Sequence, residues 1–482
     1  MKPPIDRFTI IVACIILLGC VIRLIACLNT CIINNDGVLY IQQARALYYG
    51  ESGGLTSELN YFSLYPFFIA GAYYLAGDWI VSALGVSWFF GSATLFPVFL
   101  LLRRFFDRST TGLGLLLFAV MPVFVDISCA VIKEPVAYFF AAWGFHFFLR
   151  HMESGGIRVL AAAGFCFLMA SWARVEILMI FAVSGVCLLF FSPRRWAAVG
   201  TMAVFLAVVS GAVAVAGMVA GLGLTELFRS GDVISNLRVP FSEYRTLRAE
   251  LRELAVSYEY PKTVLSLFFE EARGLVWFIA LGGMLKCFVK ALFYPMVLFF
   301  ILGIPRAWKL VRSDNRVLYL TLAAAAGFIL FYVHEVRYWI VYPRLLALVI
   351  IPTMYVLTCG LGVVKDFLRT RLKIRQSLAV GLLALVLVFS TLPKNIGARE
   401  CDKLVFRDIG EAVAAFDGGE GPFTISASAA NQRWVPFYAN LGVRGAFHPG
   451  IFMNSWEYFP DHTMEELLYR LYKLEIAYLL WD

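Results

Sequence analysis

Apolar runs of membrane-spanning length, separated by short basic loops, constrain this chain more than any motif in it. About eleven such runs of roughly 16–24 residues can be marked, each long enough to cross a hydrocarbon core of about 30 Å. Their expected limits are 8–28, 79–102, 109–126, 135–150, 157–173, 176–191, 197–222, 287–304, 317–333, 339–363 and 377–393. A segment in lipid must satisfy its backbone hydrogen bonds internally, so these runs predict helices. Hydrophobic residues make up 61% of the 482 and charged residues 15%, with a mean hydropathy of +0.77, which sets a soluble domain aside. The predicted class is an all-α polytopic membrane protein.

Basic residues collect on the cytoplasmic side of membrane proteins, and this gives the threading. Lys2 and Arg7, the Arg103–Arg108 cluster, Arg150 and Arg158, Arg194 and Arg195, Arg306–Arg316, and Lys365–Arg375 all fall on one side. The N-terminus is therefore expected in the cytoplasm and the C-terminus outside. The first run continues through Arg23 and Cys27 without a small-residue cleavage site and is expected to be a retained span rather than a signal peptide. Leu64–Gly77 carries Pro66 and is expected, like Gly274–Leu285, to form an interfacial helix; residues 223–273, rich in Arg and Glu, are expected outside. Over 394–482 hydropathy falls, and helix-like stretches (408–416, 463–474) alternate with strand-like ones (Phe423–Ala427, Ile476–Trp481). The expected organisation is a transmembrane domain, 1–393, and a small extracytoplasmic α/β domain, 394–482.

The net charge of +8 is spread over loop clusters rather than one face, so it reports topology and lipid headgroups, and nucleic-acid binding is not expected. The ten cysteines lie mostly in apolar spans with no CxxC, and read as small core residues rather than a disulfide or zinc framework. Cytoplasmic loops are too short to hold a nucleotide, with no Walker motif and no Asp-x-Asp. The polar residues are concentrated outside, where an activated group has to arrive on a lipid. Asp36 and Glu134 lie there, in short polar breaks at the membrane surface, and such carboxylates are functional candidates by default.

Four blocks in order resemble the GT-C superfamily of integral membrane glycosyltransferases, in particular bacterial relatives of protein O-mannosyltransferases and aminoarabinose transferases (families 39 and 83). Asp36-Gly-Val-Leu-Tyr40 resembles the D-x-x-x-Y element of the first external loop, and Leu64-Tyr65-Pro66 its P-x-Y-P element, with Ser63 for the first proline. Pro122 through Val131-Ile132-Lys133-Glu134-Pro135 resembles the second acidic motif, and Ala173-Arg174-Val175-Glu176 the R-P-E element with Val for Pro. Val336-Arg337-Tyr338 and Tyr342-Pro343-Arg344 resemble the late R-Y-x-x-P-x-x-P block. The resemblance covers most of residues 8–350 and extends to the C-terminal region. It implies transfer of a sugar, with inversion, from a polyprenyl-phosphate donor to an external lipid, glycan or protein acceptor, in a prokaryotic plasma membrane.

Such a transfer needs a base at the acceptor hydroxyl and charge stabilisation at the leaving phosphate. The resemblance and the polar turn Asn34-Asn35-Asp36-Gly37 together make Asp36 the expected base; the competing reading is an Asx turn or helix N-cap. Glu134 is the second catalytic candidate, for positioning the acceptor, a cation or a metal, against a first-turn acid favoured by the helix dipole. Arg337, Tyr338 and Arg344 are expected to bind donor phosphate, against interfacial snorkelling. Arg174 and Glu176 are expected to form a structural ion pair, and Lys133 is given no catalytic role. Tyr40 and Tyr65 are candidates for the substrate groove, against an interfacial aromatic belt. No cofactor is assigned; a divalent metal is left open, with His334 and Glu335 as weak candidates that need a further ligand such as Asp36 or Glu51. The alternatives carried forward are a polysaccharide polymerase or ligase, and a secondary transporter.

Overall fold

The computed structural model describes residues 6–51, 63–192, 195–219, 233–257, 263–416, 418, 421–427, 433–445, 453–455 and 463–480. Seven of the described helices are long and apolar enough to cross a membrane, and the bent pair Arg108–Val120 and Pro122–Ser128 makes an eighth. Ile157–Ala173, Val175–Phe191 and Arg195–Val208 are shorter apolar helices. Pro343–Thr370 is the most enclosed, whereas Arg7–Leu28, Tyr294–Ser313 and Gln376–Ile396 leave most of their apolar surface open. Small residues bring the centre together. A Cβ on Gly360 would lie 1.8 Å from the carbonyl oxygen of Phe299, and one on Gly303 2.0 Å from that of Val356, so helices Tyr294–Ser313 and Pro343–Thr370 touch backbone to backbone.

The expected span 109–126 is bent by 51° between Val120 and Pro122. Pro122 lacks an N–H, and carbonyls freed at such a break need donors inside a bilayer. Arg23 Nη1 donates to the Ala119 carbonyl at 2.8 Å and Asn395 Nδ2 to that of Val120 at 2.8 Å, so two neighbouring helices supply them.

One stretch departs from expectation. Gly274–Leu285 is not a separate interfacial helix: it lies inside the continuous helix Val264–Leu292, and the expected span 287–304 is divided between that helix and Tyr294–Ser313. The turn falls at Phe293, with φ of 67°, just before Tyr294-Pro295. Apolar composition runs through this turn without interruption, and the backbone restrictions around Pro295 decide its place. Tyr65–Ala76 has 12 residues, too few to cross a bilayer.

Ion pairs gather at both ends of the bundle. Helix Glu134–Ser154 has Glu134 at one end and, at the other, Glu153, which binds Arg104 and Arg316. Helix Pro343–Thr370 has Arg344 at its start and, near its end, Lys365, 3.3 Å from Asp107. Arg104, Arg316 and Lys365 all belong to the basic set used for the threading.

The C-terminal segment holds a three-stranded parallel sheet in the order β2-β1-β3, with β1 Ile425–Ala427, β2 Met453–Ser455 and β3 Tyr478–Leu479. Helices Leu404–Phe416, Trp434–Ala439 and Met464–Lys473 accompany it, the last opened by a Thr463/Glu466 capping box. This segment is stitched to the start of the chain. Trp434 Nε1 donates to the Ile33 carbonyl at 2.9 Å, and Arg45 donates to the carbonyls of Gly445 and Leu441. Cys31 and Cys401 form a disulfide, which corrects the reading of all the cysteines as core residues. The pairing spans 370 residues of sequence, so no local spacing could reveal it.

Candidate active site

Asp36 sits in the first turn of helix Asn35–Tyr49. The preceding Asn34 makes no cap bond to that helix; its Oδ1 instead accepts the Val131 N–H at 2.8 Å, which ties the turn to the loop ahead of Glu134. A Cβ on Gly37 would lie 2.7 Å from the Val131 Cβ, so glycine is what allows the two segments to meet. The Asp36 side chain is 40% exposed, whereas that of Glu134 is 5% exposed.

The two carboxylates belong to one chain of alternating charges. Arg174 Nη1 donates to Glu134 Oε1 at 2.6 Å, while its Nε and Nη2 donate to the two oxygens of Glu176. Arg344 Nη2 donates to Asp36 Oδ2 at 2.8 Å, and its Nε lies 3.8 Å from Glu134 Oε1. Arg433 Nη1 lies 3.9 Å from Asp36 Oδ1. The order is therefore Glu176, Arg174, Glu134, Arg344, Asp36, Arg433, drawn from four membrane-region segments and the C-terminal segment. Tyr138 Oη donates to the Arg344 carbonyl at 2.6 Å, which fixes that backbone while leaving its side chain 31% exposed.

The expected Arg174–Glu176 pair is present, but its link to Glu134 was not foreseen. Arg433 was missed altogether, because nothing in the polar run Asn431-Gln432-Arg433 sets it apart. Lys133, at the start of helix Glu134–Ser154, has its ammonium pushed down to about 8 by burial and then by nearby Arg174, against the carboxylates of Glu176, Glu134 and Asp36.

Tyr40 and Tyr65 pack edge to face with ring centroids 5.4 Å apart, and both are buried. Tyr65 Oη is bonded to Ser87 Oγ at 2.7 Å, so these rings form the wall beneath the charged chain rather than an open groove. Arg337 and Tyr338 end helix Asn315–Tyr338, with the guanidinium 4.6 Å from the Tyr338 ring centroid, and Tyr338 is exposed. His334 rests against Tyr338 with centroids 4.7 Å apart, while Glu335 is buried and faces Gly283. Among the described residues no three His, Cys, Asp or Glu side chains come together to hold a metal. The acids of the charged chain face guanidinium groups instead.

Neither protein-family models nor curated proteins match the sequence. Solved structures do. The oligosaccharyltransferase AglB from Archaeoglobus fulgidus, in complex with an inhibitory peptide and a dolichol-phosphate, aligns at a TM-score of 0.57 and 13% identity over 97% of this chain and 69% of its own. A structure of an Archaeoglobus fulgidus oligosaccharyltransferase tethered with an acceptor peptide aligns at 0.55 and 12% over 98% of this chain and 69% of its own. ArnT from Cupriavidus metallidurans aligns at 0.50 and 11% over 88% of this chain and 84% of its own. At such identities the likeness is one of fold: the chain shares the polytopic helical fold of these oligosaccharyltransferase and ArnT structures.

Proposed function

We propose that the chain transfers a glycosyl group from a polyprenyl-phosphate carrier to an extracytoplasmic acceptor, with Asp36 as the base. The observation that carries this reading is the half-exposed Asp36 carboxylate between Arg344 and Arg433, at one end of a membrane bundle. A carboxylate beside two guanidinium groups suits a reaction that removes a proton at one point and releases a phosphate at another. The fold likeness to AglB, solved with a dolichol-phosphate, supports a lipid phosphate as the leaving group.

In the step envisaged, the acceptor hydroxyl gives its proton to Asp36 as its oxygen bonds to the anomeric carbon. The bond from that carbon to the phosphate oxygen breaks, and the electron pair leaves with the polyprenyl phosphate. A single displacement of this kind inverts the anomeric centre. Arg344, with Arg337 and Tyr338 on the adjoining helix end, meets the charge on the leaving phosphate. Buried Glu134, held by Arg174, orients Arg344. The Cys31–Cys401 disulfide supports an oxidising, extracytoplasmic location for this end of the bundle and for the C-terminal unit 394–482.

The test is mass-spectrometric turnover by purified protein in detergent with a panel of polyprenyl-phosphate sugars and lipid, glycan or peptide acceptors. Product from at least one donor is expected. No product from any pairing, with donor still consumed into chains, would favour a polymerase.

A further inference from the structure

The charged chain is unequal in its bonding, and Arg344 is held more loosely than Arg174. Arg174 satisfies Glu134 at 2.6 Å and grips Glu176 with two nitrogens. Among the described residues the Arg344 side chain makes one hydrogen bond, to Asp36, and its buried Nε has no hydrogen-bond partner, lying 3.8 Å from Glu134. A guanidinium bonds best through two parallel N–H groups to a carboxylate or phosphate, and only half of that capacity is used here. The Asp36–Arg344 pair is also partly exposed, at 40% and 31%, a setting in which ion pairs are weak.

Resting on the glycosyl-transfer reading, we propose that Arg344 couples the two substrates by changing partners. Before donor binds, Arg344 holds Asp36 in an ion pair that occupies the oxygen needed to take the acceptor proton. An incoming phosphate offers the second acceptor that Asp36 cannot, and Arg344 turns to it. Glu134 loses little, because Arg174 already satisfies it. Asp36 is left with a free oxygen and with Arg433 3.9 Å away on its other side. Asp36 Oδ2 is thus released from its ion pair only when a leaving group is in place, and the order of binding is donor before acceptor. The backbone of Arg344, pinned by Tyr138, stays still while its side chain swings.

The consequence is that Asp36 competes with phosphate for Arg344, which a double-mutant cycle on the full-length protein in detergent micelles can read. The probe is undecaprenyl phosphate, with affinity measured for wild type, Asp36→Asn, Arg344→Gln and the double variant. Asp36→Asn should bind roughly threefold to tenfold tighter than wild type, the scale of one exposed ion pair. That gain should vanish in the Arg344→Gln background. A gain that persists without Arg344 would reduce the effect to through-space repulsion and overturn the switch. Unchanged or weaker binding by Asp36→Asn would overturn it as well. Both outcomes leave the glycosyltransferase reading standing, whereas no binding by wild type and Asp36→Asn alike would remove that reading and the switch together. Arg344→Lys keeps the charge without the fork and should bind less tightly than wild type, which separates loss of geometry from loss of fold.

Discussion

Arg344 lies between Asp36 and Glu134, hydrogen-bonded to the first at 2.8 Å and 3.8 Å from the second, so one guanidinium joins the two acids that the sequence set apart by almost a hundred residues. The two acids are not equivalent. Asp36 keeps an exposed face and, among the described residues, one hydrogen-bonded cation, whereas Glu134 is buried against Arg174. A group that must take a proton from a substrate needs the first environment; one that fixes a neighbour's position needs the second.

Replacing Asp36 with Asn removes the proton acceptor while keeping size and shape. Turnover in the mass-spectrometric assay should fall by about 100-fold to 10,000-fold, the usual contribution of a positioned base. Binding of polyprenyl phosphate should survive. Turnover within a few-fold of wild type would move the base elsewhere.

Arg174→Ala strands two acids, one of them nearly fully buried. Breaking a buried pair by removing one partner costs about 3–5 kcal/mol, because the remaining charge stays in a low-dielectric site. A lowered melting temperature in detergent is expected, and it should be partly restored by adding Glu134→Gln, which removes the stranded charge. Exposed Arg306, paired with Asp366 at the opposite end, should give a far smaller change when truncated.

Lys133 gives a pH signature. Burial lowers its folded-state value to about 8, so the ammonium is present below that pH and lost above it. Affinity for an anionic lipid phosphate should therefore decline as pH rises through about 8, and Lys133→Met should flatten that part of the profile. Stability follows the opposite sense. Between about 8 and the ordinary lysine value the unfolded chain binds the extra proton, so this group's contribution to stability improves with rising pH.

Gly360→Ala should separate helices Tyr294–Ser313 and Pro343–Thr370, because the new methyl would meet the Phe299 carbonyl, which is backbone and cannot rotate away. A cost above about 2 kcal/mol is expected. Gly381, with nothing near its Cβ position, should accept alanine without loss in the same thermal assay.

Cys31 and Cys401 should shift together on non-reducing electrophoresis, and a membrane-impermeant maleimide should label them in intact cells only after reduction. Labelling that requires permeabilised cells would place this end of the bundle in the cytoplasm. Cys31→Ser should lower stability by about 2–4 kcal/mol.

The apolar runs by themselves determined the class, because backbone in lipid has little choice but helix, and most expected spans coincide with helices. Basic clusters at Arg104, Arg316 and Lys365 were legible for the same reason: they fall at the ends of apolar runs, and they gather at one end of the bundle. The turn at Phe293 was not legible, since apolar composition runs through it and the restrictions around a single proline decide where the helices part. Asp36, Glu134 and Arg344 were visible one by one as charges where charges are costly. Which acid stays open, which is buried, and which cation stands between them depended on contacts across long stretches of sequence. Only the tertiary structure brought Arg433 and the Cys31–Cys401 link to the same end, because a charge ladder and a disulfide are set by distances between side chains, and sequence spacing carries no such distances.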